Sequence, residues 1–160
     1  MSQLNTRLPG QDREWLSVAV DLAWRCPPSA GAFSVGAVIV SADDRELATG
    51  WSREVDEHVH AEESAIAKLS PDDPRLPGAT VYSSLEPCSV RRSRPLTCTS
   101  LILAAGIRRV VFAWREPALL VADCQGAELL AAAGVEVVEL PEFADLVRAA
   151  NSSLLGSNSR

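Results

Sequence analysis

Histidine is scarce in this chain: His58 and His60 are the only two in 160 residues. Any site built on imidazole must therefore use one or both of them. Long apolar runs are missing as well. No window approaches twenty uncharged apolar residues, so no membrane-spanning helix is expected. The first eleven residues are polar and lack the apolar core of an export signal, which points to the cytoplasm. Positive charge is in deficit, with 15 Lys and Arg against 21 Asp and Glu for a net charge of −6. A field of that sign repels a polyanion and disfavours nucleic acid as a partner. A local basic cluster could still overrule it at short range for a small phosphorylated molecule. Four cysteines are present, Cys26, Cys88, Cys98 and Cys124, and without an export signal disulfides are not expected. What the chain has in quantity is apolar material, 47% against 22% charged, enough for one core. Residues 1–160 read as a single domain, with 1–11 and 152–160 as flexible ends.

The hydrophobic pattern alternates between helix and strand. Trp15, Val18, Ala19, Leu22 and Ala23 recur at helical spacing, with Asp12 as a candidate cap and Pro27-Pro28 as the stop. Residues 35–40 form a β-branched apolar run that predicts a buried strand. A turn at Asp43-Asp44 and a second strand over 46–51 make it a hairpin. Helical patterns then cover 61–69, 98–105, 125–133 and 141–151; Gly106 and Gly134 close the middle two. Strands are predicted over 80–83, 109–114 and 135–140. A hairpin followed by right-handed crossovers gives an α/β fold, a three-layer α/β/α sandwich around a five-stranded mixed sheet.

Two short stretches carry the chemistry. One is His60-Ala61-Glu62 at the start of a predicted helix. The other is Pro87-Cys88, with Cys98 opening another helix. One imidazole and two thiolates are three soft ligands for Zn²⁺ and leave a fourth position open. Glu62 stands where a proton shuttle beside a metal-activated water would be needed. His-x-Glu alone is a weak signal and Pro-Cys weaker, but the two in this order, each leading into a helix, are fairly strong. A structural zinc would want four protein ligands, and the only obvious fourth is His58. Glu63 points about 100° away from Glu62 on a helix and is expected to be solvated. Glu86 can bond backbone near the site or lie on the surface. Arg91, Arg92 and Arg94 sit on the loop between Cys88 and Cys98, where they could grip a phosphate bidentately or simply be exposed. Trp114 ends a strand on the side where pockets form in such sheets, so it is a candidate to pack against a flat ligand. Cys26 and Cys124 read as packed thiols.

These residues resemble the cytidine/deoxycytidylate deaminase superfamily over roughly residues 12–140. The likeness is carried by 33–40, His60-Ala61-Glu62, the run Val81-Tyr82-Ser83-Ser84-Leu85-Glu86-Pro87-Cys88, then Cys98, Ala104-Ala105-Gly106-Ile107 and Arg109-Val110-Val111-Phe112-Ala113. Within it the chain is most similar to the pyrimidine deaminase domain of riboflavin biosynthesis, where a Leu-Glu-Pro-Cys run also precedes a long basic insert. The resemblance implies a cytidine-deaminase-like fold, with zinc on His60, Cys88 and Cys98 and Glu62 as proton shuttle. It implies hydrolytic release of ammonia from an aminated pyrimidine nucleotide, preferably the phosphoribosylated diaminopyrimidinone of riboflavin synthesis. The alternatives are a cytidine, deoxycytidylate or other nucleoside or nucleobase deaminase, and a non-catalytic zinc-stabilised binding module. Candidate substrate contacts are Phe33, Ala61, Arg91, Arg92, Arg94 and Trp114, and a homodimer is expected. The chain departs from the pattern in several places, among them an insert that lacks the usual His and Gly and is one residue longer than expected. Nine residues separate the cysteines where the general deaminase signature has two. The segment Ala32-Phe33-Ser34-Val35-Gly36 lacks the Asn that usually precedes the Val-Gly pair.

Overall fold

The middle strands have no solvent face, as strands covered on both sides must be. In a computed structural model, which describes residues 7–91, 93–119 and 124–157, every residue of β1 (Gly36–Val40) and β3 (Thr80–Leu85) is buried. β4 (Arg109–Trp114) is buried up to its last residue. The edge strand β2 (Glu46–Trp51) alternates toward solvent, and the other edge, β5 (Glu136–Glu139), is short and half exposed. The order across the sheet is β2-β1-β3-β4-β5. β1 runs antiparallel to β2 and β3, whereas β3, β4 and β5 are parallel.

Alternate residues of these strands feed two cores. Ile39, Val81 and Val110 face α2 (Ala61–Ala67), α3 (Cys98–Ala104) and α4 (Gly126–Ala132), meeting Ala65, Ile102 and Leu130. Val38, Val40, Tyr82 and Val111 face α1 (Pro9–Leu22) and α5 (Ala144–Ala150), meeting Leu16, Ala19, Val20 and Val147. This is the expected three-layer sandwich. No described helix is long and apolar enough to cross a membrane.

The structure differs from the sequence reading at both ends. The first helix starts at Pro9, which suits a first helical position, and not at Asp12. Gln11 Oε1 accepts the Leu8 N–H at 3.2 Å, so the cap forms without Asp12. At the far end Ser152–Ser157 form a further helix, α6, with Leu154 buried, where a loose tail was expected.

Asp12 is instead buried on the sheet. Its Oδ1 accepts from the Tyr82 hydroxyl at 2.6 Å and from Arg109 Nη1 at 2.7 Å, while Oδ2 accepts Arg109 Nη2 at 2.8 Å. Burial pushes this carboxyl up, but the Arg109 and Tyr82 hydrogen bonds and the Arg109 charge outweigh it, so its pKa is held below the ordinary value. The resulting stability is present above the unfolded value of about 3.9 and is lost as pH falls through the folded one. Asp12→Asn is therefore expected to cost about 3 kcal/mol, the low end for a broken buried pair, because Arg109 keeps Glu136 at 2.9 Å. Urea unfolding at pH 7 and pH 3 measures it, and the gap between variant and wild type should shrink at the lower pH.

Candidate metal centre and active site

The sheet topology brings three loop-to-element junctions to one end of β3. His60 is the N-cap of α2, in extended conformation, and its N–H is accepted by Glu63 Oε1 at 3.1 Å. Cys98 is the first residue of α3, behind Thr97, whose side chain accepts the Ser100 N–H at 3.2 Å. Cys88 lies three residues past the end of β3 and is locked onto α3. The Thr99 N–H and hydroxyl both donate to the Cys88 carbonyl, at 3.2 and 2.8 Å, and the Cys98 N–H points at Cys88 Sγ at 3.2 Å. The nine-residue insert is thus closed at its base, and its length does not spread the two sulfurs. Gly126 helps to seat the same turn, since a methyl group there would collide with the Pro87 carbonyl. Gly50 does the same for α2, where a methyl group would strike the Ala61 carbonyl.

The three side chains converge. Cys88 Sγ is 3.5 Å and Cys98 Sγ 3.4 Å from His60 Nδ1, and the three atoms lie within 4.8 Å of one another. The hydrogen bond with Cys98 and the neighbouring His60 draw the Cys88 thiol well below its ordinary range despite burial. A largely buried set of one imidazole and two thiols, with Cys88 drawn toward the thiolate, fits zinc and fits poorly a cation that prefers oxygen. Among the described residues no fourth group joins the cluster. His58 is half exposed beside Glu57 at 3.5 Å, so the four-ligand structural alternative lacks its fourth ligand there.

Glu62 is only 4% exposed. Its Oε1 accepts from Ser83 Oγ at 2.6 Å, which orients the carboxyl from β3. Burial is the main reason its pKa is raised; the Cys88 charge adds to this and the Ser83 bond opposes it. Glu62, His60 and Cys88 open into a cavity of about 290 Å³, near the lower end for small-molecule sites. Phe33, Val35, Leu85 and Arg91 also line it.

The other candidate residues fall less uniformly. Trp114 does not line this cavity; it packs behind it, edge-on to Phe33 with centroids 6.1 Å apart. Ala61 is buried in the same apolar cluster as Phe33 and likewise lies off the cavity surface. Glu63, expected to be solvated, is held instead. Arg91 Nη2 donates to it at 2.8 Å, and Arg94 Nη1 lies 3.8 Å away. Arg91 also donates to the His58 carbonyl at 2.6 Å, and Arg94 is paired with Asp56 at 2.5 Å. Arg92 lies outside the described residues. Glu86 is buried and bonds backbone, accepting the N–H groups of Glu116 at 3.1 Å and Ala127 at 3.0 Å.

Arg53 and Glu116 are among the cavity residues that the sequence did not single out. Arg53, at φ 61°, donates to the Phe33 carbonyl at 3.1 Å. Glu116 lines the cavity, and burial, helped by the Cys88 and Glu62 charges, raises its pKa to about 7. Its position just past β4, at the end of the sheet where pockets form, was the available signal.

A single-zinc centre with one open position and a buried carboxyl beside it is the class that this fold and site define. The chain belongs to the family described as the cytidine and deoxycytidylate deaminase zinc-binding region, whose model matches residues 9–114. It is 41% identical over 139 residues to the diaminohydroxyphosphoribosylamino-pyrimidine deaminase of Schizosaccharomyces pombe, covering 86% of this chain and 34% of that protein. Among solved structures it is similar to Acinetobacter baumannii RibD, with a TM-score of 0.77 at 30% identity over 94% of this chain and 40% of that one. The Aspergillus oryzae Rib2 deaminase superposes with a TM-score of 0.74 at 26% identity, over 89% of this chain and 91% of that one. The chain spans about a third of the length of the curated riboflavin-synthesis relatives it matches.

Proposed function

We propose that this chain is a zinc-dependent hydrolytic deaminase that releases ammonia from an aminated pyrimidine nucleotide. The preferred substrate is the phosphoribosylated diaminopyrimidinone of riboflavin synthesis, the compound class in the name of the S. pombe relative. The observation that carries the reading is the convergence of His60, Cys88 and Cys98 on one point, with buried Glu62 opening into the same cavity.

His60 Nδ1 and the sulfurs of Cys88 and Cys98 hold the zinc, which when bound supplies a Lewis acid that makes water nucleophilic near neutral pH. Ser83 fixes Oε1 of Glu62, so proton traffic falls to Oε2. That carboxyl takes one proton of the attacking water and delivers it to a ring nitrogen; it then takes the second from the hydroxyl added to the ring carbon and passes it to the amine, which leaves as ammonia as the carbonyl forms. Its raised pKa suits it to hold a proton between steps. Phe33 and Leu85 give the ring an apolar wall that excludes bulk water. Self-association as a homodimer in the cytoplasm completes the reading, on the strength of the family resemblance.

One observation favours a second substrate class. Arg91 and Arg94 are committed to Glu63 and Asp56, which leaves them less free for a phosphate than the bare sequence implied. An unphosphorylated base or nucleoside is the alternative. Turnover in ¹⁸O-water tests both readings at once. One ¹⁸O atom in the product, with the phosphorylated diaminopyrimidinone preferred over its dephosphorylated form, is the expected result. Equal rates on both would favour the second reading, and an unlabelled product would remove the hydrolytic reaction.

A further inference from the structure

The region matched by the family ends at residue 114, yet a segment of the cavity wall is held in place by a residue well beyond it. Phe33 lines the cavity, and next to it Ser34 is buried before β1 begins at Gly36. Buried peptide groups need partners. Ser34 finds them 117 residues away, at the C-terminal end of α5. Asn151 Oδ1 accepts the Ser34 N–H at 2.7 Å, and Asn151 Nδ2 donates to the Ser34 carbonyl at 3.0 Å. The remaining Nδ2 proton goes to the Val147 carbonyl at 2.9 Å, which fixes the amide to its own helix. One carboxamide thus serves Ser34 as a neighbouring strand would, through one acceptor and one donor. Arg53 ties the same turn from the other side, with Nη1 on the Phe33 carbonyl at 3.1 Å and Nη2 on Ser34 Oγ at 2.9 Å. Leu154 of α6 packs into the apolar cluster that holds Phe33.

We propose that Asn151 is a positioning residue for substrate binding: it clamps the Ser34 backbone and so keeps Phe33 in the cavity wall. The kinetic part of this inference rests on the deaminase reading; the clamp itself does not. Only an amide meets the demand. A carboxylate at 151 could accept from the Ser34 N–H but would face two carbonyls with no proton to give. Because Phe33 is a wall residue and moves no proton, loosening it affects binding and leaves the chemical step alone.

Asn151→Asp tests this with two readouts. KM is expected to rise about tenfold, the size set by one unsatisfied buried hydrogen-bonding group. The variant's kcat should stay within about threefold of wild type and its zinc content should be unchanged, as befits lost binding alone. Amide hydrogen exchange should speed up in residues 32–35 and stay unchanged in β3. A fall in kcat at constant KM, loss of zinc, or faster exchange across β3 would overturn the proposal in favour of general stability. Should the charged variant fail to fold, Asn151→Ala is read by the same criteria. If the wild type releases no ammonia from any substrate, the deaminase reading fails by itself. Exchange then decides the clamp alone: local acceleration at 32–35 upholds it and no acceleration overturns it.

Discussion

Glu62→Gln is expected to lower turnover by about 10³-fold, within the 10²–10⁴ range for a positioned acid–base group, while KM and zinc content hold. The amide keeps the size of the side chain and an oxygen able to accept from Ser83 Oγ. It cannot carry a proton. A loss of 10³ is about 4 kcal/mol of barrier, too large to come from a small rearrangement in a well-packed site. The separation from a stability effect is clean because Glu62 is not among the three clustered groups that could hold a metal. Ammonia release beside zinc content by atomic absorption checks it. Turnover equal to wild type would reject the proton-shuttle role and raise the binding-module reading.

The second large effect is on stability. Zinc that binds only the folded chain stabilises it by mass action, about 4 kcal/mol at a free concentration a thousandfold above Kd. For a domain of this length that is a rise in Tm of roughly 8–16 °C, at about 2–4 °C per kcal/mol. Chelation should lower Tm by that amount and added zinc should restore it. Cys98→Ala, which removes one of two sulfurs from a fully buried position, should melt near the chelated wild type and respond little to zinc. The reason is architectural. His60, Cys88 and Cys98 sit at the start of α2, after β3 and at the start of α3, so one ion held by all three would tie three segments together. A Cys98→Ala protein that still gained the full shift would mean that zinc binds elsewhere.

What the sequence made legible was whatever depends on neighbours along the chain. The β-branched run that became β1, the strand over 109–114, and the His-x-Glu and Pro-Cys signals each come from local spacing and survive in the structure. Pairings across long separations were hidden. Asp12 looked like a cap because its own neighbourhood suits one, but Arg109 stands 97 residues on. Arg91 and Arg94 looked free because the sequence shows charges and not their partners; Glu63 of α2 and Asp56 of the loop before it arrive only when that segment folds against the insert. Asn151 carried no motif at all, and its use depends on Ser34 being left unpaired before β1. Trp114 was rightly placed at a strand end, but Phe33 comes between it and the cavity.

The most direct test is ammonia release by the zinc-loaded protein from cytosine, adenine, guanine and diaminopyrimidinone compounds, each with and without a 5′-phosphate. The account predicts turnover of an aminated pyrimidine, with the phosphorylated diaminopyrimidinone fastest. No ammonia from any aminated pyrimidine, with one zinc bound per chain, would contradict it.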